Sequence, residues 1–186
     1  RISGSAERRK VLEGIIGYLL HTYKDPAFPK AVIFYDETDA DSDPRANGRT
    51  GKGLLVSAVS KLRKTERMDG KMFSMNKGFA FQTVGLDTHV LCIDDAGRNF
   101  DFENLFSVIS EGIPLEKKFK DAIRLPYEQS PKVVITSNYY IPGIGDSHTG
   151  RRIEFELSRF FSSGRTPIDI YGKRFFEDWD KKQWSL

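Results

Sequence analysis

The segment ANGRTGKG, residues 46–53, holds the side chains and glycines most able to do chemistry. It nearly follows the phosphate-loop pattern GxxxxGK[ST] and opens into apolar positions at helical spacing. Gly48 and Gly51 leave room for backbone amides to point at phosphate oxygens, a helix N-terminus favours negative charge, and Lys52 can reach the β- and γ-phosphates of a nucleotide. Asn47, Gly48, Arg49, Thr50, Gly51, Lys52 and Gly53 are therefore the candidate nucleotide-binding residues. Two positions depart from the pattern: Ala46 replaces its first glycine, and Gly53 replaces the Ser or Thr whose hydroxyl would hold Mg²⁺. Taken alone, the segment also reads as a glycine-rich turn capping an ordinary helix.

Two further segments end an apolar run on polar groups. VLCIDD, residues 90–95, places Asp94 and Asp95 where a buried strand would meet a site needing a hard oxygen donor for Mg²⁺ and a group to position water. Paired acids there also suit a turn or a helix cap. KVVIT, residues 132–136, runs into Ser137 and Asn138. An amide at the carboxyl end of a parallel strand can hold an attacking water or sense a γ-phosphate, and it is equally at home in a turn. The three strand ends together supply the polar groups that an ATPase needs.

The elements that must position these groups can be read from periodicity. Val11, Leu12, Ile15, Ile16, Leu19 and Leu20 lay one apolar stripe along a helix opened by Ser5. Residues 31–35 (AVIFY), 90–93 and 132–136 are short apolar runs suited to buried parallel strands. Leu54, Leu55, Ala58, Val59 and Leu62, then Phe102, Leu105, Phe106 and Ile109, have helical spacing. Strands alternating with helices predict an α/β fold of three layers around a central parallel sheet.

Composition bounds the rest. A chain of 186 residues fits one compact domain. No apolar run approaches the ~18 residues of a membrane span, and the start at Arg1 has neither methionine nor a signal-like stretch, so the chain reads as a cytoplasmic fragment of something longer. The single cysteine, Cys92, lies in an apolar run and reads as a small core residue. The net charge of +3 does not by itself point to nucleic acid. Its distribution is patchy: Asp36, Glu37, Asp39, Asp41 and Asp43 read as a solvated loop rather than a metal cage, while Lys117, Lys118 and Lys120 cluster, as do Arg151 and Arg152. His21, His89 and His148 show no metal spacing.

GRTGKG, VLCIDD, the lysine-bearing EGIPLEKKFKD and PKVVITSN followed by GRRIEFE stand in the order found in superfamily 3 helicases. Residues 31–161 resemble these AAA+ P-loop motors of small viruses, phages and mobile elements, especially the helicase part of phage-type primase-helicases. The resemblance implies an AAA+-like core at 31–161 with an inserted β-hairpin, an N-terminal helical segment at 1–30, and a C-terminal segment at 162–186 that packs on the core. It makes Lys52 the phosphate lysine, Asp94 and Asp95 the Walker B acids with Asp94 on the metal, and Asn138 the sensor. ATP and Mg²⁺ are the implied cofactors. Single-stranded DNA and a homo-oligomeric, hexameric ring are the implied partners, together with a primase or replication-initiator domain in the same longer chain.

Two features gain their reading from this resemblance. Residues 115–120 and 122–125 could pair as strands around a lysine-rich tip, where Lys117, Lys118 or Lys120 would hold DNA phosphates and Phe119 would either pack or touch the nucleic acid. Without the resemblance the same lysines are a solvated edge. After a polar, glycine-rich loop at 142–150, which reads as flexible, Arg152, with Arg151 in reserve, is the expected arginine finger reaching a neighbour's γ-phosphate. A surface pair with Glu154 is the other reading. Trp179, Trp184, Phe175 and Phe176 predict an apolar edge docked on the core. Two further functions fit the same residues: an AAA+ ATPase that loads or remodels replication proteins without unwinding DNA, and a degenerate module, favoured by Gly53, that binds nucleotide or DNA without turnover.

Overall fold

The computed structural model describes residues 1–37, 48–75, 79–116 and 121–184. Ala46, Asn47, Lys117, Lys118, Phe119, Lys120 and the acids Asp39, Asp41 and Asp43 lie outside the described residues. The elements are α1 (Ala6–Leu20), β1 (Ala31–Asp36), α2 (Lys52–Leu62), β2 (Thr65–Asp69), β3 (Val90–Ala96), α3 (Phe106–Ser110), β4 (Gly112–Leu115), β5 (Ile123–Pro126), β6 (Lys132–Ser137), α4 (Asp146–Gly150), β7 (Arg152–Leu157), α5 (Pro167–Tyr171) and α6 (Lys181–Trp184). Short 3-10 turns at Glu103–Leu105 and Tyr127–Gln129 precede α3 and β6.

Five strands form one parallel sheet in the order β2-β3-β6-β1-β7. The three apolar runs are its centre, buried on both faces as parallel strands require. Because side chains alternate along a strand, Val32, Phe34, Val90, Cys92 and Val134 join one core with Leu12, Ile15 and Leu19 of α1 and Val56 and Val59 of α2. Ile33, Leu91, Ile93, Val133 and Ile135 join the other, with Phe102, Leu105, Val108, Ile109, Ile113 and Leu125. The expected three-layer α/β fold is what the chain adopts.

Helix α1 starts where Ser5 accepts a hydrogen bond from the Arg8 amide, 3.2 Å away. Gly14 and Gly17 each cost the helix about 1 kcal/mol relative to alanine. Burial of Leu12, Ile15 and Leu19, on the order of 1.5–3 kcal/mol apiece, outweighs that cost. The stripe is narrower than the apolar pattern, since Val11 stays exposed. In α2 the inward residues are Val56 and Val59, while Leu62 faces out.

Several expectations need correction. Strands β2 (TERMD) and β7 (RIEFEL) were not foreseen as strands; both are sheet edges, half-exposed, and their charges suit an edge that must not pair with another chain. The first hairpin arm lies earlier than residues 115–120 and the second is shifted one residue on from 122–125: Gly112 pairs with Pro126 and Leu115 with Ile123, because this register sends Ile113, Leu115 and Leu125 into the core. The loop expected to be flexible contains α4, which is anchored by His148, buried between Phe102 and Phe106 with its Nε2 2.9 Å from Glu103. Phe175, Phe176, Trp179 and Trp184 stack on one another, and none of the residues 162–184 is buried. Cys92 is fully buried, and burial pushes its thiol up to about 12.

Candidate functional site

The carboxyl ends of β1, β3 and β6 meet at one place, and each contributes a polar residue. Strand β6 lies between the other two, so the residue after it, Asn138, can touch both neighbours. Residues 48–51 lead from the β1 side into α2. Their backbone turns through left-handed conformations at Gly48, Arg49 and Gly51, with φ of 58°, 62° and 110°. Gly51 N-caps α2 with no side-chain cap, so the first-turn amides of an 11-residue helix present their donors and positive dipole end. A β-carbon at Gly51 would also meet Phe161 at 3.4 Å.

Lys52, the first residue of α2, has only 9% of its side chain exposed. Its Nζ donates to Asn138 Oδ1 at 2.9 Å and to Asp36 Oδ1. Asp36 Oδ1 also accepts from the buried Thr50 hydroxyl. Asp36 was expected in a solvated acidic loop. Instead it ends the buried strand β1 at 5% exposure, because its charge is paired with Lys52.

Strand β3 is irregular where its two acids stand. Its pairing with β6 loses register between Ile93 and Ala96, and Asp95 takes a positive φ of 58°. Such a bulge turns consecutive side chains away from plain alternation. Thr136 fills the broken ladder, accepting from the Asp95 amide at 2.9 Å and donating to Asp94 Oδ1 at 2.6 Å. Ser137 Oγ ties the other side down by donating to Ala96 O at 2.9 Å. On the β2 side the backbone presses close: a β-carbon at Gly70 would lie 2.7 Å from the Ala96 amide nitrogen.

The acids have different neighbours. Asp95 Oδ1 accepts from Asn138 Nδ2 at 3.1 Å, and its Oδ2 pairs with Lys71, whose ammonium this carboxylate holds above the usual lysine range. Asp94 Oδ2 faces Arg67 at 3.7 Å, and 37% of the Asp94 side chain remains exposed. One polar chain thus runs from Thr50 through Asp36, Lys52 and Asn138 to Asp95. It borders a cavity of about 440 Å³ lined by residues 49–54, Asp94, Asp95, Thr136 and Asn138, with Phe161, Ser162, Thr166 and Pro167 opposite. That volume lies within the range of about 300–1,000 Å³ usual for small-molecule sites.

The structure therefore gathers Arg49, Thr50, Gly51, Lys52, Gly53, Asp94, Asp95 and Asn138 around one cavity, with Gly48 beside Asn138. Arg152 is elsewhere and is not a projecting group. With 7% of its side chain exposed, it donates to Ile141 O at 3.0 Å and Gly143 O at 3.1 Å and pairs with Glu154 at 3.3 Å. In this chain the guanidinium is spent on carbonyls of its own loop, so Arg152 clamps the chain that follows β6 and does not project as the expected finger would. Arg151 is likewise engaged, with Ser147 O at 3.1 Å and over the Phe106 ring. Asp36, Thr136, Lys71 and Arg67 belong to the site and were not anticipated. Only the hydroxyl run in VITSN signalled any of them.

Neither a protein-family model nor a curated protein matches the chain. By structure it is similar to JCV helicase, with a TM-score of 0.53 and 16% identity over 79% of this chain and 41% of that one. It is also similar to the apo A form of the NrS-1 C-terminal region, with a TM-score of 0.52 and 13% identity over 95% of this chain and 37% of that one. At these identities the likeness is one of fold: the central parallel sheet with flanking helices. The chain spans about two fifths of the length of these structures. Among the described residues no helix is long and apolar enough to cross a membrane.

Proposed function

We propose that the chain is the ATPase motor core of a DNA helicase of the superfamily 3, AAA+ kind. It hydrolyses ATP with Mg²⁺ and, as part of a homo-oligomeric ring, moves along single-stranded DNA. The observation that carries this reading is the polar chain joining Lys52, at the start of α2, to Asn138 and Asp95 at two strand ends. It ties a phosphate-reaching cation to a pair of acids through an amide able to respond to both. The fold likeness to a helicase supports the same reading.

The donor set fits the cofactors. The glycine turn and the uncapped start of α2 suit phosphate oxygens, and Lys52 has a third N–H to offer them. Gly53 has no hydroxyl, so Asp94, over a third exposed at the rim of the cavity, is the residue that would hold Mg²⁺. Mg²⁺ would supply charge neutralisation on the transferring phosphoryl group. Asp95, hydrogen-bonded to Asn138, would orient an attacking water and take up its proton. In this reading Lys117, Lys118 and Lys120 would contact DNA phosphates, and such contacts read backbone charge rather than sequence.

DNA-stimulated ATP hydrolysis and strand separation test the reading together. A motor gives both. ATP turnover without strand separation would point to a loading or remodelling ATPase, and binding without turnover to a static module.

A further inference from the structure

We propose that Asp36 is the counter-ion of Lys52, a positioning residue that competes with nucleotide for the phosphate-reaching ammonium and so lowers nucleotide affinity. This rests on the nucleotide reading of the cavity and adds to it a residue that sets affinity. A carboxylate beside the lysine of a phosphate loop is chemically conspicuous, since it offers Lys52 what a phosphoryl oxygen would offer.

Three observations carry the inference. Asp36 Oδ1 takes both Thr50 and Lys52, so the loop and the strand end are held by one oxygen. Asp36 Oδ2 is buried with no hydrogen-bond partner among the described residues. An orphaned buried carboxylate oxygen is costly, and such a group calls for an explanation. Lastly, the other acceptor of Lys52 is neutral, the amide oxygen of Asn138, so among the described residues the negative charge with which a nucleotide competes for Lys52 belongs to Asp36. A phosphate entering here meets a carboxylate of like charge at close range in a poorly solvated setting. A divalent cation carried with the nucleotide offsets that repulsion, and without it the repulsion is felt in full.

The test is ATP binding by calorimetry to the whole chain and to its Asp36→Asn and Asp36→Ala variants, in Mg²⁺ and in EDTA, with folding checked by circular dichroism. Asn keeps an acceptor for Thr50 and Lys52 but removes the charge. Both variants should bind ATP more tightly, on the order of tenfold, with the larger gain in EDTA. Unchanged or weaker binding by folded variants, alongside binding by the wild type, overturns the proposal and leaves the nucleotide reading standing. If no protein binds ATP or inorganic pyrophosphate at millimolar concentration, the nucleotide reading itself fails and the proposal with it. A wild-type measurement stands apart from variant folding: the Lys52 side-chain ¹⁵N resonance, assigned by its loss in Lys52→Arg, should move on adding pyrophosphate. A resonance unmoved at saturation contradicts the exchange of partners.

Discussion

Lys52 Nζ and Asn138 Oδ1 lie 2.9 Å apart although 86 positions separate them in sequence. With its oxygen on Lys52 and its Nδ2 on Asp95, the Asn138 amide is fixed in one orientation and links the two halves of the site.

Asn138→Ala should therefore separate binding from chemistry. The affinity for Mg·ATP should stay within a few-fold, while turnover per site falls about 10²-fold, the usual cost of removing one preorganised polar contact at a reacting centre. Equilibrium binding and single-turnover hydrolysis on the same preparation check it. Loss of binding with unchanged turnover at saturation would remove Asn138 from the chemical step.

The buried pair makes a stability prediction that a surface lysine would not. Lys52→Met leaves Asp36 uncompensated and should lower unfolding free energy by roughly 3–5 kcal/mol in urea. Adding Asp36→Asn should restore most of that loss without restoring ATP binding. A Lys52→Met chain as stable as wild type would show that the two charges are not paired in solution.

Much of this was legible in the sequence, for physical reasons that also explain the gaps. The runs at 31–35, 90–93 and 132–136 are apolar because central parallel strands are buried on both faces, and that pattern survives without alignment. Edge strands carry no such mark, so TERMD and RIEFEL passed unnoticed as strands. Lys52, Asp94, Asp95 and Asn138 stand out because glycines and polar strand ends are visible in a sequence, and the structure brings these four together. Asp36 was hidden inside a run of acids, where charge pattern alone predicts solvent; only its partner across the loop explains its burial. The contacts of Arg152 are hidden for the opposite reason, since an arginine after a glycine-rich stretch looks free until its carbonyl acceptors are known.

Arg152→Ala tests the clamp. It strips the Ile141 and Gly143 carbonyls of their donor and should cost roughly 1–3 kcal/mol in urea unfolding, with ATP affinity per folded molecule unchanged. Mixing Arg152→Ala with Lys52→Ala chains should restore no turnover. Full stability with lost turnover that is rescued by mixing would reinstate an arginine acting between subunits.

Two lysines at the opposite end of β6 set a pH dependence. Burial lowers Lys24 and Lys132 to about 8 from the usual 10.5. Between pH 8 and pH 10 the unfolded chain then binds more protons than the folded one, so stability should rise with pH. Above pH 10 the phenols of Tyr18, Tyr35 and Tyr127, raised mainly by burial, keep their protons only in the folded state and reverse the trend. Urea midpoints from pH 7.5 to 10 should climb for wild type and flatten in Lys24→Met/Lys132→Met. Equal slopes in the two proteins would contradict the burial of charged lysines.

The proposed nucleotide site is tested most directly by amide NMR of the chain titrated with Mg²⁺ and a slowly hydrolysed ATP analogue. Saturable shifts should concentrate at Gly48, Arg49, Thr50, Gly51, Lys52 and Gly53, with smaller ones at Asp94, Asp95 and Asn138, and should vanish in Lys52→Met/Asp36→Asn. A titration that leaves these amides unmoved, or moves only those around the separate cavity of about 410 Å³ lined by Lys71, Phe73, Arg98 and Phe100, would contradict the assignment.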